Sequence, residues 1–301
     1  MIIVAGEALM DLTPAQIGEV AGYVPHPGGS PYNVAVGLGR LGVQVAFAGR
    51  ISTDHFGRTL RDHLAESRVV LDHVAKADDP STVAFVHLGD GEPEYSFYAE
   101  GTADRMLTPA HLGHLPTGAG LHVGSISLVL EPSASTLEGL LRQESRRRLI
   151  SLDPNVRAGL IDDPPAYRAR FSDWVELVDV LKLSAADLAW LVPGRAVDEA
   201  IAAWLAAGVV LVLLTDGANG ASAHTAGASA QVPSPQVAVT DTVGAGDAFT
   251  AGALAHLHDQ GWHTRDHVTE RSPHDLRALL TNANAVAADT CTRSGAEPPW
   301  R

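Results

Sequence analysis

The sequence predicts an α/β protein with a doubly wound, mostly parallel sheet. Six short apolar runs have the composition of strands buried on both faces, and patterns of helical periodicity lie between many of them. The predicted strands are residues 2–5, 45–48, 121–123, 149–152, 178–183 and 209–214. The predicted helices include residues 34–41, 56–65, 136–147, 198–206 and 276–290. Alternation of this kind is typical of a parallel sheet covered by helices on both faces.

Two segments break the alternation and predict a small β lid on a single domain that spans residues 1–301. Residues 12–28 hold glycine, proline and few apolar residues. Within residues 82–100, two runs rich in β-branched and aromatic residues flank the sequence Gly-Asp-Gly-Glu-Pro at 89–93, which is the pattern of a β-hairpin. We expect both segments to form a flap over the edge of the main sheet, with an ordinary surface hairpin as the alternative.

Composition narrows the class of protein. The chain has 301 residues, of which 46% are hydrophobic, and a formal net charge of -14. A sizeable core is therefore expected, and the acidic balance argues against a nucleic-acid partner, because that affinity depends on basic groups. The single cysteine, Cys291, excludes an internal disulfide and fits a cytoplasmic enzyme. The chain begins with a strand pattern rather than a signal peptide, and no apolar run reaches the ~20 residues of a membrane span.

The stretch Asp-Thr-Val-Gly-Ala-Gly-Asp-Ala-Phe at 241–249 has three features that phosphoryl transfer needs. Gly244, Ala245 and Gly246 form a loop nearly free of side chains, whose N–H groups can approach an anion. An apolar pattern of helical spacing follows, so we expect the loop at a helix N-terminus, where the helix dipole favours phosphate. Asp247 falls in the first helical turn, where a carboxylate can take the proton of an attacking hydroxyl. A tight turn with a capping aspartate is the alternative.

Further polar groups follow the predicted strands, whose carboxyl ends line the ligand crevice of a doubly wound sheet. Asp11 can accept hydrogen bonds from two sugar hydroxyls. Gly28 and Gly29 let a ligand approach the backbone, and Asn33 offers it both a donor and an acceptor. Three more clusters end later strands: Asp153-Pro154-Asn155-Val156-Arg157, Lys182-Leu183-Ser184-Ala185-Ala186-Asp187 and Thr215-Asp216-Gly217-Ala218-Asn219-Gly220. Each cluster alone is compatible with a turn, but together they describe one crevice.

Other kinds of site lack their sequence signatures. The chain contains no Gly-x-x-x-x-Gly-Lys-Ser/Thr motif, and no Gly-x-Gly-x-x-Gly follows the first strand, which argues against a P-loop enzyme and a dinucleotide site. The 14 histidines include no convincing pair of metal ligands. His256 and His258 are two positions apart in a predicted helix and therefore do not share a face.

These motifs resemble, in the same order, those of the PfkB-type carbohydrate kinases, also called the ribokinase-like family. One signature region covers residues 28–57 and the other covers 241–252, and the tail at 292–296, Thr-Arg-Ser-Gly-Ala, matches as well. The resemblance covers nearly the whole chain. Residues 97–104 and 182–184 look most like bacterial fructokinases. The resemblance implies a three-layer, doubly wound, ribokinase-like fold with a small β lid.

The resemblance also implies an ATP-dependent kinase that transfers the γ-phosphate to a primary hydroxyl of a sugar, with fructose as the first candidate. Asp247 would be the catalytic base, and the N–H groups of residues 244–247 would form an anion hole. The sugar would be held by Asp11, Gly28, Gly29, Asn33, Phe97 from the lid, and Arg157, which would lie near the sugar or the phosphates. The nucleotide would be held by Lys182, Ser184, Thr215, Gly217, Gly220 and Asn284.

Two metal ions belong to the same expectation. Magnesium would arrive with ATP and be ordered through water by Asp187. A potassium ion would lie beside the anion hole, at Asp241, Val243, Arg293 and Gly295, some of them binding through backbone carbonyls. The family often has Asn-x-x-Glu where this chain has Ser-Ala-Ala-Asp at 184–187. Because aspartate is one methylene shorter than glutamate, we expect weaker magnesium binding or a slower reaction.

The resemblance leaves the substrate and the assembly open. Ribose, 2-keto-3-deoxygluconate or a nucleoside would use the same Asp247 machinery as fructose, and Arg105 or Arg157 would supply the cation for a sugar acid. A non-catalytic sugar-binding regulatory protein is the alternative from another class, although the intact Gly-Ala-Gly-Asp sequence argues against it. We expect no membrane and no nucleic-acid partner. Exposed edge strands invite pairing, and members of the resembled family often form dimers in this way, so a homodimer through the lid is one candidate assembly that these residues leave open.

Overall fold

The structure, a computed structural model, describes residues 1–87, 94–118 and 120–301. Its strands are β1 (Ile2–Ala5), β2 (Leu9–Ile17), β3 (Val20–Gly28), β4 (Val45–Ser52), β5 (Val69–Ala77), β6 (Thr82–His87), β7 (Glu94–Tyr98), β8 (Gly120–Gly124), β9 (Ile150–Asp153), β10 (Val180–Ser184), β11 (Leu211–Thr215), β12 (Ala221–His224) and β13 (Ser229–Val232). Its α-helices are α1 (Ser30–Arg40), α2 (His55–Glu66), α3 (Pro109–Leu112), α4 (Ser133–Glu144), α5 (Pro164–Val175), α6 (Ala185–Leu191), α7 (Val197–Ala207), α8 (Ala245–Asp259), α9 (Arg265–Thr269) and α10 (Pro273–Thr290).

Nine of these strands form the main sheet, in the order β13-β12-β11-β10-β9-β8-β1-β4-β5. Neighbouring strands are parallel from β11 to β5, whereas β12 and β13 add an antiparallel edge. The chain runs outward from β1 to β4 and β5, and it then continues on the other side of β1 with β8. The strand order therefore reverses between β1 and β8, and a ligand crevice is expected at their carboxyl ends.

The two faces of the main sheet carry separate hydrophobic clusters, because successive side chains of a strand point to opposite faces. Ile2 and Val4 of β1 pack in one cluster with residues of α1, α8 and α10. Ile3 and Ala5 pack in the other with residues of α4, α5 and α7. Helices thus cover both faces, and the predicted three-layer, doubly wound fold is confirmed.

The predicted elements are present with shifted ends. All six predicted strands are parallel members of the main sheet, and each predicted helix is found, although α4 runs from Ser133 to Glu144 rather than over 136–147. Strand β5 was not among the predictions, because Asp72, His73 and Lys76 interrupt its apolar run. Among the helices that the structure describes, none combines the length and apolar character needed to cross a membrane.

A second sheet of four strands, in the order β3-β2-β6-β7, corresponds to the predicted β lid. The β2–β3 hairpin pairs Leu9 with Gly28, so this sheet begins at residue 9 rather than at 12. The predicted turn at 89–93 lies outside the described residues. Asp11, Ala84 and Phe97 occupy one row across β2, β6 and β7, and Asp11 and Phe97 line a pocket with residues at the carboxyl ends of the main sheet.

Candidate active site

The glycine-rich loop leads directly into helix α8, as the sequence predicts. Gly244 precedes the helix with a φ of +75°, a left-handed conformation that favours glycine. A Cβ on Gly246 would lie 3.2 Å from the ammonium nitrogen of Lys182, so any larger residue at this position would crowd the Lys182 side chain. The first N–H groups of a helix have no partner within it. The Ala245 N–H donates to the Thr242 carbonyl at 3.2 Å, so the N–H groups of Gly246 and Asp247 are the ones at the start of α8 that are suited to bind an anion.

Asp247 lies in the first turn of α8 and is buried. Its Oδ1 accepts a hydrogen bond of 2.6 Å from the Ser30 hydroxyl, and its Oδ2 accepts one of 2.8 Å from the Asn33 amide. Burial raises the pKa of Asp247, while the Ser30 and Asn33 hydrogen bonds and the Lys182 and Arg157 charges oppose that rise. A buried carboxylate with a raised pKa is a better proton acceptor than an exposed aspartate.

Asp11 on β2 faces the same pocket as Asp247. Its carboxyl is buried, and burial raises its pKa to about 7, with Arg157 opposing the rise and Asp247 adding to it. A Cβ on Gly28 would overlap the Oδ2 atom of Asp11. The glycine at 28 therefore makes room for the carboxylate, while Gly29, with a φ of +105°, lies against the carbonyl of Glu7.

Aromatic side chains of the second sheet close one side of this pocket. Phe97 and Tyr95 on β7 are stacked with ring centroids 5.8 Å apart. The Arg157 guanidinium lies 5.3 Å from the centroid of the Tyr95 ring. Its Nη1 donates 2.6 Å to the Asn155 side chain, which holds the guanidinium in place. Phe97, on β7, and Arg157, after β9, thus line the same pocket. Tyr95 also lines it, and it was not predicted as a site residue from the sequence.

A second cavity of about 300 Å³ lies on the other side of the glycine loop. Thr215, Gly217, Gly220 and Asn284 line it, together with residues 234–237. Asn284 donates from Nδ2 to the carbonyls of Val232 and Pro233, at 3.2 and 3.3 Å, and so fixes this wall of the cavity. Four of the six residues predicted for the nucleotide are therefore brought together at one cavity next to the start of α8, and the other two, Lys182 and Ser184, line the adjoining cleft.

Lys182 lies beneath the start of α8 in a buried ion pair. Its Nζ donates 2.7 Å to Oδ2 of Asp153, which the Thr250 hydroxyl also approaches at 3.4 Å. Burial alone would lower the pKa of Lys182, but the carboxylates of Asp153, Asp187 and Asp247 outweigh it and raise that pKa. The ammonium group therefore stays charged next to Gly246.

Ser184 and Asp187 form a capping box at the start of α6. The Ser184 N–H and hydroxyl donate to Oδ2 of Asp187 at 2.9 and 2.7 Å, and the Asp187 N–H donates 3.0 Å to Ser184 Oγ. Oδ1 of Asp187 accepts 2.8 Å from the N–H of Val156. Since a carboxylate has about four acceptor positions, these three donors leave one position for a water molecule.

Potassium was predicted at Asp241, Val243, Arg293 and Gly295, some of them through backbone carbonyls. Asp241 accepts hydrogen bonds from the N–H groups of Val243, at 3.0 Å, and Gly295, at 2.9 Å, so these three lie beside the glycine loop. The Arg293 side chain instead pairs with Asp289 at 2.9 Å. Within the described residues, no group of three or more His, Cys, Asp or Glu is arranged to hold a metal ion.

The structure adds Glu7 to the site, which the sequence reasoning missed. Glu7 follows β1 and is buried, with hydrogen bonds from the N–H groups of Ser30, at 3.1 Å, and Ser127, at 3.2 Å. Burial raises its pKa to about 7. Its position directly after a buried strand was the available signal, the same one that identified Asp11.

A buried carboxylate, an anion-binding helix start, a polar pocket and a larger cavity meet at the carboxyl ends of the main sheet. This arrangement is that of a phosphotransferase acting on a small hydroxyl compound. The model of the pfkB family carbohydrate kinases matches residues 1–301, and the chain belongs to that family.

Individual relatives agree with this assignment. The chain is 43% identical to the fructokinase of Rhizobium leguminosarum bv. trifolii over 280 residues, which cover 92% of this chain and 86% of the relative. It is similar to the crystal structure of Xylella fastidiosa fructokinase with bound ATP, with a TM-score of 0.90 and 31% identity over 98% of this chain and 93% of that one. A fructokinase double mutant from Vibrio cholerae O395, in a fructose-, ADP- and potassium-bound form, gives a TM-score of 0.87 and 30% identity, over 98% and 93%.

Proposed function

We propose that this protein transfers the γ-phosphate of ATP to a primary hydroxyl of fructose. The observation that carries the proposal is the position of Asp247, which lines both the polar pocket and a cleft that runs along the start of α8 to Thr215 and Gly217 of the larger cavity. A sugar hydroxyl in the pocket and a phosphate chain in the cavity would meet there. The fructokinase relatives support ATP and fructose as the two substrates.

Asp247 is the proposed general base. Each of its oxygens accepts one hydrogen bond, from Ser30 or from Asn33, which leaves a second acceptor position on each oxygen for the sugar hydroxyl. As the proton moves to the carboxylate, the hydroxyl oxygen attacks the γ-phosphorus and the bond to the β-phosphate oxygen breaks. The N–H groups of Gly244, Gly246 and Asp247 and the α8 dipole stabilise the negative charge on the transferred group, whereas the Ala245 N–H donates to the Thr242 carbonyl.

The sugar is assigned to the pocket between the two sheets. The Asp11 carboxylate accepts hydrogen bonds from sugar hydroxyls, and Gly28 makes room for that carboxylate. Gly29 lines the pocket, and the Asn33 amide donates to Asp247. Phe97 on the second sheet covers the sugar. We propose that this sheet acts as a lid that excludes water during transfer.

The nucleotide is assigned to the larger cavity. Thr215, Gly217 and Gly220 line its base, and Asn284 holds its wall. Lys182 and Ser184 extend this surface toward Asp247. The Lys182 ammonium beside Gly246 adds positive charge where the phosphates are expected. The use of ATP agrees with the cytoplasmic location predicted from the sequence.

The residues present could hold the two proposed metal ions without a set of direct side-chain ligands. Magnesium would be held through water and potassium through groups of the loops beside α8. The one acceptor position left on Asp187 suits a water molecule of hydrated magnesium, which usually keeps several waters. When bound with ATP, magnesium neutralises phosphate charge. Asp241, Val243 and Gly295 remain the proposed surroundings of potassium, supported by the potassium-bound relative, whereas the Arg293 side chain points to Asp289.

We also propose that the protein pairs with a second copy through its lid. Tyr23, Phe85 and Tyr98 pack edge to face on one side of the second sheet, with centroids 5.0 and 5.5 Å apart. Tyr98 is 67% exposed and Tyr23 is 44% exposed. An exposed aromatic cluster of this kind favours association with another apolar surface.

An ADP-release assay with ATP and magnesium tests the function. The acceptors are fructose, ribose, glucose, 2-keto-3-deoxygluconate and adenosine, because ribokinase, sugar-acid kinase and nucleoside kinase activities would use the same base. We expect fructose to give the highest kcat/KM, and Asp247→Ala to lower the rate ~10²–10⁴-fold. Asp198→Ala, at an exposed position on α7, is the control. Fructose binding by calorimetry without turnover of any acceptor would instead support the non-catalytic alternative.

A further inference from the structure

Ser30 lies within the first signature region, but no role in the site was predicted for it from the sequence. It is the first residue of α1, is buried, and comes directly after the two glycines of the sugar pocket. Its hydroxyl donates to Oδ1 of Asp247 at 2.6 Å, across 217 residues of sequence. This is the shorter of the two side-chain hydrogen bonds to that carboxylate, the other being the 2.8 Å bond from Asn33.

The backbone of Ser30 is held in turn by Glu7. Oε1 of Glu7 accepts the Ser30 N–H at 3.1 Å, and Oε2 accepts the Ser127 N–H at 3.2 Å. The Ser30 N–H belongs to the first turn of α1, where it lacks a partner within the helix, and the Ser127 N–H belongs to the short 3-10 helix Ser125–Leu128, which follows β8. One buried carboxylate therefore joins the ends of β1 and β8 to the start of α1, at the point where the strand order reverses.

Together these contacts form a chain from Glu7 through Ser30 to Asp247. We propose that Glu7 and Ser30 are positioning residues for phosphoryl transfer: Glu7 fixes the backbone of Ser30, and the Ser30 hydroxyl fixes Oδ1 of Asp247. This inference rests on the proposed kinase function and goes beyond it, because it assigns the orientation of the base to two further residues. A hydroxyl that donates to a carboxylate also favours its ionised form, which is the form that accepts a proton.

The effect on pH dependence follows from the groups around Asp247. Asp11 on β2, Asp153 on β9, Arg157 after β9, Lys182 on β10 and Tyr95 on β7 all interact with it electrostatically. The Ser30 hydrogen bond lowers the pKa of Asp247 against the opposing effect of burial. Removing the Ser30 hydroxyl while those other groups stay in place should therefore raise the pKa of Asp247. The acid limb of the pH–rate profile, where the rate falls as Asp247 is protonated, should then move to higher pH.

The test is the single-turnover rate of fructose phosphorylation from pH 5 to pH 9, at saturating fructose and MgATP. For Ser30→Ala we expect the acid limb of the pH–rate profile to move up by about 1 pH unit, which lowers the rate by up to ~10-fold at pH values below that limb. Ser30→Thr, which keeps the hydroxyl, should restore the wild-type limb. Glu7→Gln, which keeps only one acceptor oxygen for two N–H donors, should lower the rate but keep a titrating limb.

Thr136→Ala is the matched control, because it removes another buried hydroxyl, from α4. It should leave the limb unchanged even if its melting temperature falls. A wild-type limb in Ser30→Ala, or a limb that disappears in Glu7→Gln, would overturn the inference while leaving the kinase proposal standing. Absence of fructose-dependent turnover in the wild type would instead remove the function on which the inference rests.

Discussion

Gly244 packs so closely against Ala296 that a Cβ on the glycine would overlap the Cβ of the alanine. Ala296 belongs to the segment that follows α10 and that covers the outside of the glycine loop. Gly295, one residue earlier, donates its N–H to Asp241 at 2.9 Å, and Glu297, one residue later, pairs with the buried Arg40 of α1. The C-terminal segment is thus fastened on both sides of the contact, and it cannot easily move away.

Gly244→Ala is therefore expected to damage catalysis more than stability. The left-handed φ of +75° costs a residue with a Cβ about 1–2 kcal/mol, and the overlap with Ala296 should displace the N–H groups of the anion hole. We expect kcat to fall about 10²-fold or more. Gly261→Ala is the matched control, since Gly261 has a φ of +71° with open space around its Cβ position. Equal kcat in both variants would contradict the proposed role of the loop.

The parts of the fold that sequence predicted are those whose signal is local. The parallel strands are continuous apolar runs, and the Gly-Ala-Gly sequence at 244–246 is enough to predict a loop there. Residues 12–28 were predicted as part of the β lid, but their individual strands were not, because β2 and β3 are rich in Gly and Pro and much of β3 is exposed. The pairing of this hairpin is completed by β6, more than 60 residues away along the chain from β2.

The site residues divide in the same way, into those that local sequence identifies and those whose role depends on distant partners. Asp247, Asp11 and Asn33 stood out by residue type and position. The role of Glu7 depends on partners 23 and 120 residues away, which only the folded chain brings to its carboxylate. Asp187 was predicted as a magnesium group from its place in a motif, yet three of its acceptor positions are used within the protein. Hydrogen-bond partners of this kind carry no local signature.

Asp11 should make the sugar-free protein less stable as the pH rises. Its pKa rises from 3.8 to about 7 on folding, mainly through burial, so the folded state binds a proton more tightly than the unfolded state. Its stabilising contribution is full below pH 4 and is lost as the pH passes 7. At about 1.4 kcal/mol per pKa unit, the change is at most about 4 kcal/mol.

Urea unfolding of Asp11→Asn at pH 5 and pH 8 measures this effect. Relative to the wild type, the variant should gain stability between the two pH values, while its affinity for fructose falls. Asp54→Asn is the control, because hydrogen bonds at the start of α2 lower the pKa of Asp54, which places its titration below pH 4. A stability difference for Asp11→Asn that is the same at both pH values would rule out titration of this carboxyl.

The aromatic cluster of the lid predicts a specific effect on assembly. Placing a charge on it by Tyr98→Lys should weaken pairing of two copies, because an unpaired charge in an apolar interface is costly. We expect the dissociation constant of the dimer to rise at least ~10-fold, as measured by sedimentation equilibrium. Val197→Lys, which adds the same charge at an exposed apolar position on α7, should have no effect. A wild-type protein that stays monomeric at high concentration would refute the proposed interface.

Asp187 combines a structural role with the proposed magnesium role, and two variants separate them. Asp187→Ala removes the capping box of α6 and should cost about 1 kcal/mol of stability. Asp187→Asn keeps an acceptor oxygen for Ser184 but loses the charge. If Asp187 orders the water of magnesium, both variants should raise the magnesium concentration for half-maximal rate about 10-fold or more.

The matched control is Asp275→Ala, which removes the equivalent Ser272–Asp275 capping box of α10, far from the site. It should lower stability by a similar amount and leave the magnesium titration unchanged. An unchanged magnesium titration in Asp187→Asn would show that this carboxylate only caps α6 and accepts the N–H of Val156. Magnesium would then depend on the phosphates and on other groups of the cleft.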